Sequence, residues 1–91
     1  MEELKTGRVL VDFYATWCGP CKMLAKQIEQ YEAEVDDVKV VKVNVDEHHE
    51  MAGAFGVRAV PTIFYMEDGE VIERAIGVKT VPQLKEFTKV A

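Results

Sequence analysis

A pair of cysteines in the order C-x-x-C constrains this chain more than any other feature. Cys18 and Cys21, within Trp17-Cys18-Gly19-Pro20-Cys21-Lys22, are the only two in 91 residues. The apolar run Val9 to Ala15 stands before them and a helical pattern follows. Thiols three positions apart at a helix start share one turn, so their sulfurs can meet in a small disulfide ring. The unpaired N–H groups and partial positive charge of a helix N-terminus favour a thiolate over a thiol. Cys18, at that end, is therefore the expected nucleophile. Cys21, one turn inside, is the expected resolving thiol and the more buried of the two.

Three uses of such a pair compete. A structural disulfide across three positions constrains the unfolded chain very little. Structural zinc needs about four ligands, and the other candidates, His48 and His49, are adjacent and lack the required spacing. Reversible dithiol–disulfide exchange is the reading that a strand–CxxC–helix pattern favours. His48 and His49 are expected to be exposed in a helical first turn and carry no assigned chemistry.

The pattern on either side of the motif sets the fold class. Met1 to Thr6 reads as the end of a helix stopped by Gly7. Arg8 to Ala15 is apolar on both faces, as a central strand covered by helices should be, with Asp12 its one intrusion. A helix is predicted from about Gly19 to Glu34, burying Cys21, Leu24, Ala25, Ile28, Tyr31 and Val35. Pro20 is tolerated in its first turn, where a missing N–H costs nothing. Asp36-Asp37 turn the chain into the β-branched strand Val38 to Val45, giving a right-handed βαβ unit with parallel strands. Asp46 to Ala54 is polar and then briefly helical, burying Met51, Ala52 and Phe55. Strands Ile63 to Met66 and Val71 to Ala75 flank an Asp68-Gly69 hairpin turn. Thr80 and Gln83 read as a capping box for a last helix that buries Val81, Leu84, Phe87 and Thr88. The order (α)βαβαββα over residues 1–91 is a single α/β domain, with helices on both faces of a mixed sheet.

Charge and hydropathy exclude other classes. A net charge of −5 argues against nucleic acid as a partner. No basic segment leads into an apolar one as in a secretion leader, and no apolar run approaches about 18 residues, so a cytoplasmic location is expected.

At this point the chain resembles the thioredoxins. The likeness rests on Val11 to Lys22 (VDFYATWCGPCK), Lys42 to Asp46 (KVNVD), Val57 to Thr62 (VRAVPT), Asp68 to Val71 (DGEV) and Gly77, in compatible order and spacing. It implies that Cys18 attacks and Cys21 resolves, with no cofactor beyond that dithiol. Trp17, Gly19, Pro20, Val60, Pro61 and Gly77 then form a substrate groove, with Val60–Pro61 cis and its main chain pairing with an extended target segment. A strand aspartate more often points at solvent, but both faces of this strand look covered. The resemblance places Asp12 buried behind Cys21, where it helps remove that thiol's proton through water. Lys42 matches a lysine near that carboxylate and is expected to turn inward beside it.

The function so implied is reduction of disulfides in other proteins, with a flavin- or iron–sulfur-linked thioredoxin reductase regenerating the dithiol. The Gly-Pro between the cysteines resembles reducing members. An oxidase or isomerase of the same fold, and a binding module that uses the groove without chemistry, are the rival readings. Two departures stand out. Lys26 occupies a position where many thioredoxins have a helix-kinking proline, so a straighter helix is expected. The family's first strand has no counterpart, which predicts a four-stranded sheet with Val38 to Val45 as an open edge, and a monomer or weak dimer.

Overall fold

The computed structural model describes residues 2–90, and its sheet has four strands in the order β2-β1-β3-β4. They are β1 (Arg8–Tyr14), β2 (Lys39–Asn44), β3 (Thr62–Glu67) and β4 (Glu70–Ile76), with helices α1 (Gly19–Glu34), α2 (His49–Ala54) and α3 (Val81–Phe87). β1 and β2 run parallel, while β1–β3 and β3–β4 are antiparallel. This is the mixed sheet that the order of apolar runs predicts.

Alternation along β1 explains why it is apolar throughout. Side chains on a strand point to opposite faces in turn. Val9, Val11 and Phe13 join Val43, Phe64 and Met66 under α2, where Phe13, Phe55 and Phe64 meet with ring centroids 5.0–5.5 Å apart. Leu10 faces the other way, with Ile63 and with Leu24, Ile28 and Tyr31 of α1 and Leu84 of α3. Asp12 belongs to this second face, and it is buried.

The helices begin where their sequences say they should. Cys18 is the N-cap of α1, its Sγ accepting a hydrogen bond from the Cys21 N–H at 3.1 Å, and Pro20 lies in the first turn. α1 runs unbroken past Lys26. Thr80 and Gln83 make both bonds of the capping box at α3, an arrangement worth about 1 kcal/mol. Val81, Leu84 and Thr88 are buried as expected, and Phe87 is half-buried.

Several expectations need correcting. Glu2–Leu4 form a 3-10 turn rather than the end of an α-helix; Met1 lies outside the described residues. Gly7 does not stop a helix. Its positive φ of 76° turns the chain into β1, where its N–H donates to Asp68 Oδ1 and its carbonyl accepts from the Asp68 N–H. The N-terminal segment is thereby tied to the β3–β4 hairpin. β4 is exposed along most of its length, Val71, Ile72 and Ile76 included, with Ala75 half-buried against the cluster beneath α1 and α3. Val38 and Val45 flank the β2 ladder instead of belonging to it.

A cluster that the sequence did not announce closes the end of the sheet away from the cysteines. Arg8 donates through Nε to Tyr65 Oη, through Nη1 to Asp37 Oδ2 and through Nη2 to the Thr88 carbonyl. Tyr31 Oη and Thr88 Oγ1 share a buried hydrogen bond of 2.6 Å. One half-buried guanidinium thus links β1, β3, the α1–β2 turn and the end of α3. Nothing among the described residues pairs with the outer edge of β2.

Candidate active site

The site is assembled at the end of the β1–β2 parallel pair, where the chain leaves β1 for α1. Open α/β sheets place ligand sites outside the carboxyl ends of their strands. Ala15 follows β1 and its carbonyl accepts from the Cys18 N–H, a turn that sets Cys18 at the head of α1. Cys18 and Cys21 are joined as a disulfide, with Cα atoms 5.3 Å apart. Both are nearly buried, Cys18 at 5% and Cys21 at 3% exposure, so burial separates them less than their positions suggest. What differs is the surroundings. Cys18 Sγ faces the Cys21 N–H and lies 3.7 Å from the Val60 carbonyl oxygen. Cys21 points inward beside the cleft that holds Asp12.

The loop that reaches Cys18 from the other side is built around Pro61. The Val60–Pro61 peptide bond is cis, as the resemblance implies. Thr62 Oγ1 donates to the Ala59 carbonyl at 2.6 Å and so holds the turn in place. The Gly77 N–H donates to the Pro61 carbonyl at 3.0 Å. Gly77 has a φ of 102°, a backbone state that side chains rarely adopt, and a Cβ built there would meet no atom within 4 Å. Gly77 is thus set by backbone conformation, and the space over it is open. Trp17 is 71% exposed, and its Nε1–H donates to Asp46 Oδ2 at 3.0 Å. Gly19 and Pro20 are exposed in the first turn of α1. The structure therefore brings Cys18, Val60, Pro61 and Gly77 together, with Trp17, Gly19 and Pro20 alongside.

Asp12 sits apart, behind the disulfide. A cleft of about 310 Å³ is lined by Asp12, Cys21, Lys22, Ala25 and Lys42, among others. Burial pushes the Asp12 carboxyl up to about 6, and the positive charge of Lys42 pulls in the opposite direction. Its Oδ1 has no hydrogen-bond partner among the described residues. Lys42 is Asp12's partner across the β1–β2 ladder. It lines the same cleft, on the face that carries Asp12, and stays exposed there.

Asp46 is the residue here that sequence reasoning left without a role. It stands in the KVNVD landmark, but its bond to Trp17 spans 29 residues and no local pattern signals it. His48 and His49 are exposed. Among the described residues no group of three or more His, Cys, Asp or Glu is placed to hold a metal ion. Among the described residues no helix is long and apolar enough to cross a membrane.

Comparison with known proteins fits this geometry. The thioredoxin family model matches residues 1–90. Thioredoxin of Bacillus subtilis is 47% identical over 86 residues, covering 93% of this chain and 83% of that protein. Thioredoxin of Chlamydia caviae is 47% identical over 76 residues, 84% of this chain and 74% of that one. Among solved structures, mitochondrial thioredoxin 3 of Saccharomyces cerevisiae in its oxidised form superposes with a TM-score of 0.88 at 36% identity, covering 97% of this chain and 83% of that one. A thioredoxin mutant from Halobacterium salinarum gives 0.84 at 39% identity, over 100% and 88%. A family match over nearly the whole chain, joined to a cysteine pair bridged at the head of a helix and facing a cis-proline loop, is decisive: the chain belongs to the thioredoxin family, and it is a protein-disulfide oxidoreductase that works through its own cysteine pair.

Proposed function

We propose that reduced Cys18 attacks a disulfide of an extended target segment lying along Val60 and Pro61. The attack joins Cys18 to one target sulfur, and the other leaves as a thiolate that takes up a proton. Cys21 then loses its proton towards the Asp12 carboxylate, through water in the shared cleft, and attacks Cys18. This closes the Cys18–Cys21 disulfide and releases the target as a dithiol, so that two electrons have moved to it. The observation that carries the assignment is the capping position of Cys18. Its sulfur accepts from the Cys21 N–H at the positive end of α1, where a thiolate is stabilised. An Asp12 carboxyl near 6 suits proton exchange close to neutrality, and Lys42 at the mouth tunes it.

In the same reading, residues 1–91 act as one domain in the cytoplasm. Trp17, Gly19, Pro20 and Gly77 border the target segment. A thioredoxin reductase, flavin- or iron–sulfur-linked, returns the electrons. Disulfide-bearing proteins are the partners, without nucleic acid or membrane. The chain is a monomer that pairs weakly through the open β2 edge at high concentration. The test is reduction of a disulfide-bridged model protein with candidate reductases supplied in turn. Cys18→Ser should abolish turnover, whereas Cys21→Ser should accumulate mixed disulfides with targets. Trapping by the Cys18 variant instead would reverse the two roles.

A further inference from the structure

The cleft behind the disulfide is much larger than a proton relay requires. A single water takes about 30 Å³, against about 310 Å³ for the cleft. A benzene ring fits a cavity of about 150 Å³, and small-molecule sites begin near about 300 Å³. There is room, then, for one substituted ring. The lining changes character with depth. Asp12 and Cys21 are buried, and Oδ1 of Asp12 has no hydrogen-bond partner among the described residues. Such an acceptor gains from any donor that reaches it, water or ligand. Ala15, Ala25 and Tyr14 supply small apolar walls and one aromatic ring. Lys22 and Lys42 are the exposed members of the lining, and their ammonium groups repel a cation and attract an anion. Lys42 lies on β2, an edge strand, so no further strand among the described residues walls the cleft off on that side. A complementary molecule carries a hydroxyl at its inner end, a flat apolar middle and a carboxylate at its outer end.

We infer that this cleft binds small aromatic acids with a hydroxyl opposite the carboxylate, the hydroxyl donating to Asp12 Oδ1 and the carboxylate resting by Lys22 and Lys42. An occupant displaces the water between Cys21 and Asp12, and so holds the protein at the mixed-disulfide stage. The Val60 side of Cys18, where targets approach, stays clear. Binding stands on the cleft alone, whereas inhibition rests on the reductase reading above. A hydrogen bond to a buried charged acceptor is worth about 10-fold or more in affinity. Exposed lysines add less, about 3-fold, and salt screens them. For a ligand of about ten non-hydrogen atoms, a dissociation constant of about a millimolar is expected.

The probe is 4-hydroxybenzoate, titrated into the oxidised protein and followed by amide NMR shifts. Benzoate, 4-methoxybenzoate and 4-hydroxybenzylamine serve as comparisons. Shifts should centre on Asp12, Ala25 and Lys42, and 4-hydroxybenzoate should bind about 10-fold tighter than either acid lacking the hydroxyl. Asp12→Ala should erase that advantage, and Lys22→Gln with Lys42→Gln should weaken all three acids alike. Absence of saturable shifts, equal binding of the methoxy acid, or tighter binding of the amine would overturn the site. Shifts centred on Trp17 and the Val60 loop would do the same. Inhibition is read on the reduced protein with a disulfide-bridged model substrate. Saturating probe should slow release of the mixed disulfide about 5- to 10-fold, while its formation, measured with Cys21→Ser, keeps its rate. Binding with no change in release would overturn the inhibition and leave the site. Failure to reduce the substrate with no probe present would instead overturn the reductase reading, and the binding titration would stand apart from it.

Discussion

Replacing Asp12 by alanine should make the oxidised protein more stable at neutral pH while slowing its chemistry. The carboxyl is buried, Oδ1 has no partner, and burial raises its pKa from 3.8 to about 6. A raised carboxyl means the folded state binds more protons than the unfolded chain between those two values. Stability therefore falls as pH rises through about 4 to 6, and the penalty persists above that window. The interval corresponds to about 3 kcal/mol at 1.36 kcal/mol per pH unit. That figure already includes the attraction of Lys42; removing the side chain also leaves a small void, so the net gain at pH 7 should be about 1–3 kcal/mol. In urea, with a slope of about 1–3 kcal/mol per molar, the midpoint moves up by about 1 M. The assay is a set of urea melts of both proteins from pH 4 to pH 8, with the disulfide intact so that neither cysteine titrates. Relative to the parent, the variant should gain about 3 kcal/mol between about pH 4 and pH 6–7, with the difference then constant to pH 8. An alanine variant less stable at pH 7, with the same pH dependence as the parent, would refute the claim that the carboxylate is held at a cost. In the reduced protein the same variant should release mixed disulfides more slowly.

Other outcomes follow from the same geometry. Lys42→Met removes the attraction that opposes burial, so the Asp12 carboxyl should rise above about 6; a carboxyl-resolved NMR titration would register an unchanged midpoint as failure. Tyr31→Phe should cost about 0.5–1.5 kcal/mol in urea melts, because it removes one buried hydrogen bond while Thr88 keeps its bond to the Leu84 carbonyl. Along Lys39 to Asn44, amides on the outer edge should exchange rapidly when dilute and slow as concentration rises; protection at every concentration would contradict an open edge.

Much of this fold was written in local pattern. The two-residue alternation of β1, the Cys18–Pro20 start of α1 and the Thr80–Gln83 box are all set by neighbours within a few positions, and each is where sequence reasoning puts it. The site was legible for a different reason. The C-x-x-C spacing gives the dithiol from physics, but the cis bond at Pro61 and the burial of Asp12 came through family resemblance. What stayed hidden depends on contacts between distant residues. Arg8 reaches Asp37, Tyr65 and Thr88, which are 29, 57 and 80 positions away. The resemblance sets Lys42 near the Asp12 carboxylate, while its exposure follows from its place on an edge strand, where a lysine's length lets its head reach water.

The Arg8 cluster also determines how the molecule can be handled. It clamps the first residue of β1 to the last turn of the chain, at the end of the sheet opposite Cys18. The seven-residue strand β1 runs from Arg8 to Tyr14, a span of about 20 Å. A carrier, tag or surface joined near residue 8 or residue 88 therefore attaches at the closed pole of the molecule. The face bearing Trp17, Cys18 and the Val60 loop then points away from the attachment, free to meet large folded targets.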